Sequence, residues 1–315
     1  MSAPPEPQPR RPHQPDDGPA IDFTSSISRD SLGGANVLIT GGASGLGKSC
    51  ANAFLSHGAY VTIADIEPVL LDGTKAELLA SSSRSGQVQT VVCNVTEWES
   101  QVKLFQAAAR FGLKGVIDVV LPFAGPGSQP FTYPKPGNDV VPESLSPPPI
   151  GCMSVALIGM TYTCQLAVHY MHNQSRSLRC LIVIGSMASY NALPGSCDYS
   201  AAKYGARGIF KSLRDAPEIR GTPLDSALRV NMIAPGFILT PMTNPKWDTV
   251  ISAGIKEVPI EALLDGILRV AADSTIYGKA IGVASDGPFD LLDSQAGLNG
   301  VTASRQHSWR TGDGV

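Results

Sequence analysis

A chain of 315 residues with 43% apolar and 16% charged side chains has ample material for a large buried core. Its formal net charge of −3 and isoelectric point near 6.0 give no electrostatic reason for a nucleic-acid or anionic-membrane partner, so a small-molecule substrate is expected. The six cysteines are scattered, with no C-x-x-C pair and no histidine at ligand spacing. That pattern predicts buried thiols in a reducing compartment, not disulfides or a metal site.

In chain order, residues 1–20 are Pro-rich and polar and read as a disordered tail. They lack the apolar core of a secretory signal, and no apolar run approaches the roughly 20 residues of a membrane span, which makes the cytoplasm the expected location. One domain is expected over 21–292, followed by a weakly ordered Ser/Gly/Thr-rich tail over 293–315. Strands are predicted at 36–40, 59–65, 87–93, 116–122, 178–186, 227–233 and 279–285, and helices at 45–57, 68–80, 97–111, 151–172, 199–214 and 259–272. Continuous apolar strands alternating with helices predict an α/β fold: a doubly wound, mostly parallel seven-stranded sheet with helices on both faces. Two connections break the rhythm: 126–150, which holds eight prolines, and 237–258. Both follow strand C-terminal ends, where open α/β sheets bind ligands.

The first strand runs into TGGASGLGKS at 40–49. Gly41, Gly45 and Gly47 permit a tight turn, and the helix that follows offers backbone N–H groups to a pyrophosphate. Gly42, Gly47, Lys48 and Ser49 also satisfy the phosphate-loop string G-x-x-x-x-G-K-[ST]. Against that reading, the second strand ends at Asp65, about 20 residues beyond the glycines, where a dinucleotide-binding unit holds a ribose. A carboxylate there would repel a 2′-phosphate and favours NAD over NADP.

The segment SCDYSAAKYG at 196–205 has two parsings. Ser200-x-x-Lys203 has the spacing of a serine hydrolase, but neither S-D-N nor K-T-G occurs in the chain. Tyr199 and Lys203 share a helix face at i and i+4, and the ammonium is expected to lower the phenol from its ordinary value of about 10. Ser186, at the end of the preceding apolar strand, can donate to a substrate oxygen. The three suit proton transfer coupled to hydride transfer.

TGGASGLG, Asp65, Ser186, Tyr199-SAA-Lys203 and RVNMIAPGFILTPM (229–242) together resemble the short-chain dehydrogenase/reductases over about residues 33–290. Within that superfamily the closing segment YGKAIGVASDGPFDLLD is most similar to the fungal hydroxyprostaglandin-dehydrogenase-like branch. The resemblance implies that Gly41, Ser44, Gly45, Leu46 and Gly47 line the pyrophosphate and ribose, and that Asp65 and Ile66 receive the adenosine ribose. Asn94 and Val95 would flank the adenine, and Ala124 and Gly125 would pass beneath the cofactor. Pro235, Gly236, Ile238 and Thr240 would cradle the carboxamide. Tyr199 would be the general base or acid, Ser186 would hold the substrate oxygen, and Lys203 would bind the nicotinamide ribose. A homodimer or homotetramer paired through helices 151–172 and 199–214 is also implied.

Three positions depart from the family pattern. Pro122-Phe123 replaces the usual Asn-Asn, Asn94 replaces Asp, and Ala156 stands where the family has a catalytic asparagine that holds a proton-relay water. The leading expectation is an NAD-dependent dehydrogenase that interconverts a secondary alcohol and a ketone on a bulky secondary metabolite. The alternative, prompted by Ala156, is a degenerate site used for isomerisation, cyclisation or dinucleotide binding.

Overall fold

The computed structural model describes residues 19–81, 87–113, 115–128, 147–172, 178–220, 228–244, 247–252 and 254–293. Residues 1–18 of the Pro-rich start, 129–146 of the Pro-rich connection and 294–315 lie outside them.

All seven predicted strands are present: β1 (Asn36–Thr40), β2 (Tyr60–Asp65), β3 (Val88–Val92), β4 (Val119–Pro122), β5 (Cys180–Ile184), β6 (Arg229–Pro235) and β7 (Ala280–Ala284). They form one parallel sheet, to which a short antiparallel strand, β8 (Gly287–Asp290), adds an eighth member at the β7 edge. The order is β3-β2-β1-β4-β5-β6-β7-β8. Chain order reverses between β1 and β4, the point at which an open sheet parts its loops and leaves a crevice. Every residue of β1, β4, β5, β6 and β7 is buried, the pattern of strands covered on both faces.

The helices form two layers. α1 (Gly45–Ser56) packs on α2 (Pro68–Ser81) and α9 (Ile260–Ala272) on one face. α3 (Trp98–Phe111), α5 (Met160–Met171) and α6 (Cys197–Asp215) cover the other. Apolar periodicity explains the seating of α9: Leu263, Gly266, Ile267, Val270 and Ala271 recur at helical spacing and are buried. The shorter helices are α4 (Gly151–Met153), α7 (Pro217–Arg220) and α8 (Trp247–Ser252). α8 falls inside the connection expected to be a loop.

The predicted helix 151–172 is continuous, but Ser154–Gly159 between α4 and α5 is π-wound. At 21 residues, Gly151–Met171 is long and apolar enough to cross a membrane by length and composition, contrary to the expectation from sequence. It nevertheless packs on β4, β5, α3 and α6 as an inner-layer helix of the fold. Five cysteines are buried as expected, whereas Cys197 at the start of α6 is exposed.

Candidate active site

The crevice at the β1/β4 switch opens into a cavity of about 750 Å³. All eighteen residues expected at the site line it, including Asp65, Ser186, Tyr199 and Lys203.

The glycine-rich turn forms one wall, and steric exclusion explains its composition. Gly41 has φ +68°, and a Cβ there would lie 2.6 Å from the Ala124 nitrogen. A Cβ on Gly47 would lie 2.2 Å from the Gly41 carbonyl oxygen. The turn is therefore pressed against α1 and the β4 loop more closely than any other residue permits. Ser44 is the N-cap of α1 but makes no capping bond with its side chain, so its hydroxyl and the first N–H groups of α1 bound a ready anion site. Thr240 closes the turn from above, 3.7 Å from where a Gly45 Cβ would stand. It is held by its N–H to the Thr243 hydroxyl at 2.8 Å, which in turn donates to the Ile238 carbonyl at 2.8 Å. These features fit a dinucleotide. The phosphate-loop reading fails because Lys48 forms an ion pair with Glu77 on α2 and is not part of the cavity wall.

At the far end of β2, Asp65 accepts from the Ala43 N–H (3.2 Å) and the Ile66 N–H (2.8 Å), which fixes its carboxylate beside the glycine turn. Asn94 also lines the cavity, but both ends of its amide are engaged. Its oxygen accepts from Thr96 and its nitrogen donates to Glu97 at 2.9 Å. The side chain thus builds the turn into α3 while remaining in the cavity lining, where it was expected.

Ser186 lies two residues past β5 as the N-cap of the one-turn helix Met187–Ser189. Its hydroxyl accepts from the Ala188 N–H at 3.1 Å, and its own N–H donates to the Ser189 hydroxyl at 3.2 Å. The Ser186 hydroxyl donates to the Pro235 carbonyl at 3.5 Å, and its place beside Tyr199 in the cavity favours the phenolate. Lys203 reaches past the Tyr199 ring, 5.7 Å from its centroid, and donates to the Ile184 carbonyl at 3.0 Å.

Burial dominates the electrostatics. It pulls the Lys203 ammonium down to about 8, and it raises the Tyr199 phenol, against the Ser186 hydrogen bond, above its ordinary value. The expectation that Lys203 lowers Tyr199 does not hold: burial raises the phenol, the Cys152 thiol adds to the rise, and Ser186 alone opposes it. Ser200 is buried, and its hydroxyl accepts from the Leu193 N–H at 3.0 Å away from the cavity wall, which removes the hydrolase parsing.

Ala156 sits in the π-wound turn, packed with Cys152, Ala202 and Tyr199 and carrying no polar group toward Lys203. π-turns are frequent at functional sites, and periodicity alone cannot reveal one. Sequence reasoning also missed apolar residues of the cavity lining: Phe123, Met187, Leu193, Met242, Val250 and Ile255. Met242, Val250 and Ile255 belong to the 237–258 connection that was expected to face ligands.

A family model of short chain dehydrogenases matches residues 35–250. A 5′-hydroxyaverantin dehydrogenase of Dothistroma septosporum is 32% identical, covering 86% of this chain and 91% of that protein. An NADP-dependent dehydrogenase of a Phoma species is 29% identical, covering 89% and 85% respectively. Among solved structures, a 3-ketoacyl-(acyl-carrier-protein) reductase of Brucella melitensis complexed with NADH superposes with a TM-score of 0.65 at 21% identity, covering 81% of this chain and 98% of that one.

Proposed function

Because the chain belongs to the short-chain dehydrogenase/reductase family, and so is an oxidoreductase of a class that binds NAD(P), we propose that it interconverts a secondary alcohol and a ketone on a bulky apolar metabolite, with NAD as cofactor. One observation carries this reading: Ser186, Tyr199 and Lys203 line the same cavity as the glycine-rich turn, Asp65 and a set of apolar side chains. The fungal relative named for 5′-hydroxyaverantin supports a substrate of that character.

A bound nicotinamide would supply the hydride acceptor. The chain's own work is proton handling and placement. Ser186 donates to the substrate oxygen, Tyr199 takes the hydroxyl proton in oxidation or returns it in reduction, and Lys203 holds the positive charge that stabilises the phenolate. Ala156 leaves this charge without a side-chain relay from helix 151–171, so protons leave along another route. The Ile184 carbonyl is the contact Lys203 makes in this structure. The screen that tests the reading follows NADH absorbance with 5′-hydroxyaverantin and with 1-phenylethanol as a generic aryl alcohol. Absence of NAD reduction with both, in protein that binds NAD, would favour the dinucleotide-binding alternative.

The pH dependence has a definite sign. Oxidation needs the Tyr199/Lys203 pair with one proton removed, whereas reduction needs it fully protonated. Since Lys203 is pulled down to about 8 by burial, kcat/KM for oxidation should rise with pH up to about that value. Reduction should fall over the same range, and the apparent constant belongs to the pair. In Lys203→Met only the buried phenol titrates, so the oxidation limb should move toward or beyond the ordinary phenol value of about 10. A limb that stays near pH 8 in that variant would remove the lysine from the account.

Asp65 supports NAD over NADP. Its fixed carboxylate would stand against a 2′-phosphate, and Lys48, the nearby cation of the glycine-rich segment, is committed to Glu77. Replacing the charge in Asp65→Ser should shift the ratio of NADP to NAD affinity by about tenfold or more, equivalent to about 1.4 kcal/mol. Calorimetry with each dinucleotide measures it. Equal ratios in the two proteins would show that selection lies elsewhere.

A further inference from the structure

Outside the cavity lies a buried carboxylate, Asp293, that joins several side chains. It is 1% exposed. Its carboxylate accepts from the Tyr190 hydroxyl at 2.9 Å and from two nitrogens of Arg207, with Nε at 2.8 Å, and Lys211 Nζ lies 3.6 Å away. These partners belong to two different parts of the catalytic apparatus. Tyr190 immediately follows the Met187–Ser189 turn that Ser186 caps. Arg207 lies on α6 one helical turn beyond Lys203, and Lys211 one turn further.

Two more contacts tighten the same joint. The Arg207 guanidinium stacks over the Tyr190 ring at 4.3 Å, and the Tyr204 hydroxyl donates to the Tyr190 carbonyl at 2.8 Å. The chain reaches Asp293 through Leu292 at φ +52°, the single non-glycine residue with positive φ among the described residues. That conformation costs on the order of 1 kcal/mol and persists where the surroundings over-determine it. Here the surroundings are the Asp293 carboxylate cluster on one side and the Leu292 N–H to Asp290 bond of 2.9 Å on the other.

None of Tyr190, Arg207, Lys211 or Asp293 lines the cavity, so none touches the reacting atoms. We propose that Asp293 is a positioning residue. By binding Tyr190 and Arg207 at once, it clamps the Ser186 turn onto the helix that carries Tyr199 and Lys203, and thereby fixes the placement of Ser186 relative to Tyr199. The segment after β8 is then a brace for the active site and not a passive end of the fold. Catalysis is sensitive to such placement, since a displacement of about 1 Å costs about a hundredfold in rate.

The inference rests on the Ser186/Tyr199/Lys203 reading, and the experiment separates the two. Asp293→Asn and Tyr190→Phe are assayed with NAD and the two alcohols above, alongside Ser186→Ala, Tyr199→Phe and the Tyr190→Phe/Ser186→Ala double variant. NAD affinity is measured by calorimetry and folding by thermal melting. We expect each brace variant, at a temperature where it is fully folded, to lose about tenfold or more in kcat with NAD affinity within about twofold. Tyr190→Phe should cost nothing further once Ser186 is already alanine, because the clamp acts through that serine. Tyr190→Phe, which removes one oxygen and keeps the stacked ring, serves if Asp293→Asn fails to fold. Wild-type kcat in folded Tyr190→Phe, or a loss that adds in full to that of Ser186→Ala, overturns the brace while a dead Tyr199→Phe leaves the catalytic reading standing. Activity retained in Tyr199→Phe would instead strike the catalytic reading itself.

Discussion

Tyr199→Phe is expected to lower the rate of alcohol oxidation by about 10²–10⁴-fold, the range spanned by loss of a positioned general base. The change removes one oxygen from a side chain that packs against Ala156 and Cys152, so the ring stays in place and the fold should be undisturbed. Ser186 lies beside the phenol in the cavity and favours its ionised form. With it gone, Ser186 can still donate to a substrate oxygen, but nothing accepts the hydroxyl proton. NAD binding should change little, since the glycine turn, Asp65 and Lys203 are untouched. The check is steady-state kinetics beside calorimetry on the same preparation. A loss of activity accompanied by an equal loss of NAD affinity would mean that the tyrosine serves binding and not chemistry.

Gly47→Ala should have a comparably large effect by a different route. The added Cβ would lie 2.2 Å from the Gly41 carbonyl oxygen and 3.2 Å from the Gly42 Cα, both backbone atoms that cannot swing aside. The Gly41–Gly42 turn and the N-terminus of α1 must move apart, which displaces the first N–H groups of the helix. Overpacking of this kind costs about 1–3 kcal/mol of stability. Displacing the N–H groups that would meet the pyrophosphate should raise the Kd for NAD about a hundredfold or more, equivalent to about 2.7 kcal/mol. Gly73→Ala is the control. That glycine lies within α2 with nothing inside 4 Å of its added Cβ, so the substitution should be neutral or stabilising by about 0.4–1 kcal/mol. Thermal melting and calorimetry read both variants. Unchanged NAD affinity in Gly47→Ala would detach the glycine turn from cofactor binding.

The parallel sheet was legible in the sequence because most of its strands are largely apolar runs of buried residues, and the crevice because glycines and Asp65 lie at fixed offsets from β1. Tyr199, Lys203 and Ser186 were legible for the same reason: each is tied to the end of a strand or the first turns of a helix. What escaped was whatever depends on long-range packing. β8 is a four-residue strand, Gly287–Asp290, with a glycine and a proline in it, and its pairing with β7 leaves no periodic signal. The π-wound turn at Ser154–Gly159 preserves the apolar character of the helix around it, so composition does not mark it. The direction of the Tyr199 shift was misjudged because the ring is buried against Cys152, Ala156 and Ala202, a packing visible only in the folded chain. The Asn94 amide is drawn into the turn entering α3 by Thr96 and Glu97, neighbours whose role emerges only once that turn is folded. Asp293 lies more than eighty residues along the chain from both Tyr190 and Arg207, and no local motif announces such a contact.

The central claim is that this cavity moves hydride from a carbinol carbon to NAD while Tyr199 takes the proton. The most direct measurement is mass spectrometry of the dinucleotide after incubation with an alcohol deuterated at that carbon, either 5′-hydroxyaverantin or 1-phenylethanol. Singly deuterated NADH is expected with the wild-type protein and, over the same interval, at most about a hundredth as much with Tyr199→Phe. Equal label from the two proteins, or reduced dinucleotide formed without deuterium, would contradict it.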